Sequence, residues 1–62
     1  MNRSAPAPRA VILVVEDSAD LLATLVTLLG AKGYDARGAE GVDEAEEILA
    51  TTIPDLIILD WS

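Results

Sequence analysis

The chain has 62 residues with 11 Asp or Glu against 4 Lys or Arg, a formal net charge of −7. A field of that sign repels phosphate backbones, so nucleic-acid binding is not expected and metal cations or basic surfaces are favoured partners. There is no Cys and no His, which excludes disulfide staples and thiolate or imidazole metal sites, and the length allows at most one small domain, which buries only about 60% of its unfolded surface.

Hydrophobic residues make up 52% of the chain, enough to argue for a folded core, and that core must come from Leu, Ile, Val and Ala because Tyr34 and Trp61 are the only aromatics. The apolar run after the first arginines, Ala10 to Val15, is shorter than a secretory core of about 7–15 residues. It is far below the roughly 20 needed to span a membrane. No membrane partner is expected, and together with the lack of cysteine this points to the cytoplasm.

In chain order, residues 1–9 (MNRSAPAPR) hold two prolines and no apolar period and read as a flexible leader. Ala10 to Val15 is a continuous β-branched run, the pattern of a strand covered on both faces. It leads directly into Glu16-Asp17. Ser18 or Asp17 is placed to cap a helix from Ala19 to Ala31. At 100° per residue its Leu21, Leu22, Leu25, Val26, Leu28 and Leu29 fall on an arc about 160° wide. That is broader than the usual stripe, so the helix wants more than one neighbour. Thr24 and Thr27 fall on the wet side. Gly33 suits the C′ position beyond the helix.

Tyr34 to Ala39 reads as a short, polar edge strand. A second helix runs from Val42 to Thr51, with Val42, Ala45, Ile48 and Leu49 on its apolar side. Asp43 and Glu44 lie in its first turn, where the dipole favours them. With Glu46 and Glu47 they read as a solvated face rather than a second metal site. Pro54 closes this segment and forces an extended entry into the last strand, Asp55 to Leu59. Asp55 reads as a turn residue. Asp60 follows immediately, and Trp61, next to it, reads as a partly buried loop residue and a natural fluorescence reporter.

Strand, helix, strand, helix, strand with right-handed crossovers gives a parallel α/β sheet. Open sheets of this kind bind ligands at the carboxyl ends of their strands, and there the order gathers Glu16, Asp17 and Asp60.

The apolar strand ending in Glu16-Asp17, the Leu-rich helix ending in Gly33-Tyr34, and the segment Pro54-Asp55-Leu56-Ile57-Ile58-Leu59-Asp60 together resemble the receiver domain of two-component response regulators. The resemblance implies a flavodoxin-like (CheY-like) fold truncated to β-α-β-α-β with strand order 2-1-3, residues 10–62 forming a partial receiver domain. It implies that Asp60 is the phosphoacceptor, taking a phosphoryl group from a histidine kinase or phosphotransfer protein. It also implies a Mg²⁺ site in which Asp17 and Asp60 are direct ligands, Glu16 acts through a metal-bound water, and the Ser62 backbone carbonyl completes the protein ligands. Such a domain is not an enzyme in the turnover sense. The hydroxyl residue and the lysine that the family places after its fourth and fifth strands have no counterpart here, and Lys32, at the end of the first helix, is expected at the opposite edge of the sheet. The last strand then becomes an edge, and apolar Leu56 to Leu59 invites self-association. Two other readings are a phosphorylation-independent interaction or dimerisation module, and a fragment of a longer regulator without a function of its own.

Overall fold

The computed structural model describes residues 9–60. They form β1 (Val11–Glu16), α1 (Ala19–Ala31), β2 (Asp35–Ala39), α2 (Val42–Leu49) and β3 (Leu56–Asp60). The three strands make one parallel sheet in the order β2-β1-β3, the partial flavodoxin-like receiver arrangement expected from the sequence.

β1 is central because it alone can be covered on both faces. Ile12 and Val14 face α1 and pack with Leu22, Leu25, Val26 and Leu29. Leu13 and Val15 face α2 and pack with Ala39, Ala45 and Ile48. The period-2 alternation of a strand thus divides one apolar run between two half-cores.

Both ends of α1 are set locally. Ser18, not Asp17, is the N-cap; its Oγ accepts the Leu21 N–H at 3.3 Å. At the other end Gly33 takes φ +97°, a left-handed turn that only glycine adopts without penalty. There the Gly33 N–H donates to Gly30 O and the Tyr34 N–H to Leu29 O, the paired bonds of a Schellman motif. α2 begins on Gly41, which has no side chain to cap with; the Glu44 carboxylate instead accepts the preceding Glu40 N–H at 3.0 Å.

Several boundaries differ from the sequence expectation. β1 and β3 each sit one residue later, so that Glu16 and Asp60 are the last rungs of the ladder rather than loop residues. Apolar patterning ends at Val15 and Leu59, but backbone pairing does not depend on side-chain polarity. β2 starts at Asp35, because the Tyr34 N–H is used in closing α1. α2 stops at Leu49, well before Pro54, as the Thr51 N–H turns back to Ile48 O in a tighter i→i+3 bond. The wide arc of α1 is only partly covered: Leu22 is buried, whereas Leu21 and Leu28 are exposed. Val42 and Leu49 of α2 are likewise exposed.

Two details of β2 hold the helices in place. A Cβ on Gly38 would stand 3.0 Å from Leu22 Cδ1 and 3.2 Å from Val26 Cγ2, so the missing side chain is what lets α1 approach the sheet. Gly38→Ala is expected to cost about 1 kcal/mol and Gly38→Val about 3 kcal/mol, as overpacking does; urea denaturation of the two variants measures this, and equal stability to the parent would refute the close approach. On the other face, Arg37 donates from Nε and Nη2 to the Asp35 carboxylate at 2.9 and 3.1 Å and from Nη1 to Thr52 Oγ1 at 3.5 Å. The guanidinium holds the Asp35 carboxyl below its ordinary range. The stability this contributes is present above the unfolded-state value and is lost as pH falls through the folded one.

Both helices lie over β1 and β2, and of β3 only Ile58 reaches the core, half-buried against the cluster of Ile12, Val14 and Leu22. Leu56, Ile57 and Leu59 are 55, 48 and 68% exposed. Among the described residues no strand pairs with the outer side of β3.

Candidate functional site

The register decides which acids meet. Glu16 on β1 pairs with Asp60 on β3 as the final step of the ladder, so their side chains share a face at the carboxyl edge, on strands about 4.8 Å apart. That is the face of Ile12 and Val14, under the N-terminal end of α1. Asp17 follows in the β1–α1 turn and is exposed, as is Asp60.

Glu16 is 2% exposed, the one buried charged residue among those described. Its Oε2 accepts the Ser18 N–H at 2.9 Å, and this bond lowers its pKa. The Asp17 carboxyl, burial and the Asp60 carboxyl all act the other way and together outweigh it, leaving Glu16 above its ordinary value. The carboxyl edge is therefore a place of unbalanced negative charge. Among the described residues no three His, Cys, Asp or Glu side chains converge as a metal-ligand cluster; Asp17 and Asp60 each meet Glu16. The donor set fits a hard divalent cation in its chemistry. It consists of carboxylate oxygens at a solvent-open edge, and a small hard cation binds through one or two carboxylates while keeping several waters.

The sign of the pH effect follows from the raised value. Stability from Glu16 is full below the unfolded-state value, near 4.3, and is lost as pH rises through the higher folded value. Glu16→Gln is expected to raise the melting temperature at neutral pH and to flatten its decline between acid and neutral pH. Thermal melts of both proteins across that range test this; a variant that melts lower at neutral pH would show that the Ser18 bond outweighs the repulsion.

Two contributors were not legible in the sequence. The Ser18 N–H, which fixes the Glu16 carboxylate, is a backbone group and leaves no residue signal. Asp55, read as a turn residue, instead clamps β3 to β1: its N–H donates to Val11 O at 2.8 Å and its Oδ2 accepts the Val11 N–H at 2.7 Å. Lys32 forms the C-cap of α1, at the amino edge of the sheet and away from the acids. Trp61 and Ser62 lie outside the described residues, as does all of the leader but Arg9. No helix among the described residues is long and apolar enough to cross a membrane.

The chain is 36% identical over 50 residues to the phosphate regulon transcriptional regulatory protein PhoB of Pseudomonas aeruginosa, a response regulator whose N-terminal part is a receiver domain. The chain belongs to the receiver-domain family. The match covers 81% of this chain but 22% of the regulator, so the receiver chain spans about a fifth of that relative's length. No family model and no solved structure matches it. Within the receiver chain, the strand order and the Glu16–Asp60 register are the features that bring the family's acidic positions together.

Proposed function

We propose that Asp60 accepts a phosphoryl group from the phosphohistidine of a histidine kinase or phosphotransfer protein, in two-component signalling in the cytoplasm. The observation that carries this reading is the register that sets Asp60 beside Glu16, in a chain related to a response regulator. An Asp60 carboxylate oxygen attacks phosphorus, the P–N bond to the imidazole breaks, and the imidazole nitrogen takes up a proton, leaving an acyl phosphate on the chain. Asp60 is exposed at the strand end, open to an incoming donor. Glu16, held by Ser18, is the fixed anionic wall of the site.

Asp17, Asp60 and the Ser62 carbonyl would hold Mg²⁺ directly, with Glu16 reaching it through a water. The ion would neutralise charge on the transferring phosphoryl oxygens. Acceptance is consumed in one event per chain, which makes the protein a phosphoprotein and not a turnover catalyst.

Titrating Mg²⁺ against Trp61 fluorescence, with Asp17→Asn as control, tests the metal half of the proposal. A saturable change that disappears in the variant supports it, and an equal change in both refutes it. Incubation with a small phosphoramidate, read by intact mass, tests the phosphoryl half.

A phosphorylation-independent interaction role has one specific observation in its favour, the exposure of Leu56, Ile57 and Leu59 on β3 among the described residues. Binding to a partner that persists in Asp60→Asn would establish it.

A further inference from the structure

The apolar residues of β3 do not by themselves fix where that strand sits against β1. Leu56, Ile57, Ile58 and Leu59 are all aliphatic, so the two faces of the strand read alike. The polar and apolar alternation that ordinarily sets register carries no information here. Ile58 packs against Ile12, Val14 and Leu22, but its neighbour Ile57 is the same residue. A slip of one place would set Ile57 opposite Val14 in its stead. It would also carry Asp60 about 3.3 Å along the sheet, past Glu16 to a place opposite Asp17, and turn its side chain to the α2 face. The last rung does not resist this. Glu16 and Asp60 stand directly opposite each other there, and like charges so placed are destabilising.

The groups that distinguish one register from the next lie at the other end of the ladder. Asp55 precedes the first rung, Ile12 with Leu56. Its N–H donates to Val11 O at 2.8 Å, and its Oδ2 accepts the Val11 N–H at 2.7 Å. Both backbone polar groups of Val11 are thus held by one residue. A backbone N–H donating to a carboxylate makes a charge-assisted bond, roughly twice as strong as a neutral one. Neither neighbour of Asp55 can replace it. Pro54 has no N–H and no side-chain acceptor, and Leu56 has no side-chain acceptor. A slip in either direction therefore loses the carboxylate bond, and a slip that brings Pro54 to Val11 loses both.

We propose that Asp55 is a positioning residue, which sets the register of β3 on β1 and so brings Asp60, about 16 Å further along the strand, beside Glu16. It touches neither acid and acts through the backbone of β3. The consequence for phosphoryl acceptance rests on Asp60 being the acceptor; the register itself does not.

NMR of the isotopically labelled whole chain tests this. The parent is expected to show cross-strand contacts of Val15 with Leu59 and Glu16 with Asp60. Its Val11 amide should exchange at least about tenfold more slowly than an unstructured one. A Val11 amide without protection, in a chain whose Leu13 and Val14 amides are protected, overturns the proposal. In Asp55→Ala the Glu16–Asp60 contact should weaken at least about threefold, while the β1–β2 contacts of Val14 with Gly38 and Val15 with Ala39 persist. Asp55→Asn keeps an oxygen that accepts the Val11 N–H and should keep the parent's contacts. An unchanged Glu16–Asp60 contact in Asp55→Ala refutes the assignment, as does an equal loss in Asp55→Asn. Where far-UV circular dichroism shows Asp55→Ala to be unfolded, the parent's Val11 exchange and the Asp55→Asn contacts decide. None of these readouts involves phosphoryl transfer, so a parent that takes up no phosphoryl group refutes the acceptor role of Asp60 and not the register.

Discussion

Replacing Leu13 by alanine is expected to leave the chain largely unfolded at 25 °C. Leu13 is 1% exposed and packs with Val15, Ala39 and Ala45 in the half-core beneath α2. Truncating a buried Leu to Ala typically costs 2–5 kcal/mol, and the upper part of that range applies where the surroundings cannot collapse into the space. Here the surroundings are a central strand held by ladders on both sides, which leaves little room to relax. Total stability for a domain of this size is roughly 3–9 kcal/mol, at about 0.05–0.15 kcal/mol per residue. Its largest side chains are few, and β3 adds little burial. The loss therefore takes most of what there is. Far-UV circular dichroism and a urea titration check this; a variant retaining more than half of the parent's stability would mean that the core lies elsewhere than around β1. An equivalent truncation at Leu59, 68% exposed, should change stability by under about 0.5 kcal/mol.

Asp60→Asn is expected to abolish phosphoryl uptake while leaving the fold intact. The amide is close to isosteric, but its nitrogen and oxygen are too weakly nucleophilic to form the acyl phosphate. Removing one carboxylate beside Glu16 also relieves repulsion at the carboxyl edge, so the variant should melt at or above the parent's temperature in the absence of a divalent cation. Intact mass after incubation with a phosphoramidate should show one added phosphoryl group on the parent and none on the variant. Uptake by Asp60→Asn equal to the parent's would place the acceptor elsewhere. Uptake by neither protein would refute phosphoryl acceptance by this chain. Asp17→Asn separates the two halves of the site: if Asp17 holds the cation, its loss should remove the Mg²⁺ response while the acceptor carboxylate remains.

The two predictions rest on different kinds of knowledge. Element type was legible because periodicity is a local property: the β-branched run before Glu16, the Leu repeat of α1 and the Gly33 stop each carry their own signal, and α1 spans the residues its pattern indicates. Topology was legible because few connections are allowed between short parallel strands. The family followed from the order and spacing of Glu16-Asp17 and the Pro54–Asp60 segment.

Other features needed the folded chain. That Ser18 and not Asp17 caps α1 depends on the backbone angle at the turn, which places the hydroxyl at Leu21 N–H and frees the Ser18 N–H for Glu16. That Asp55 clamps β1 depends on a partner 44 residues away. Gly38 lies in what the sequence shows only as a short, polar edge strand, and the approach of Leu22 and Val26 is what explains why a side chain there is excluded.

The sequence alone therefore determined the elements, their order and the identity of the three acids, because these follow from local patterns and a restricted set of connections. Only the tertiary structure decided the register that sets Asp60 against Glu16, the approach of Asp17 and the burial that raise the Glu16 pKa, and which apolar side chains stay uncovered. The physical reason is that register and burial are pairwise properties of distant segments. Leu13 and Leu59 are equally apolar in the sequence, and only the position of the helices over the sheet makes one the core and the other a surface.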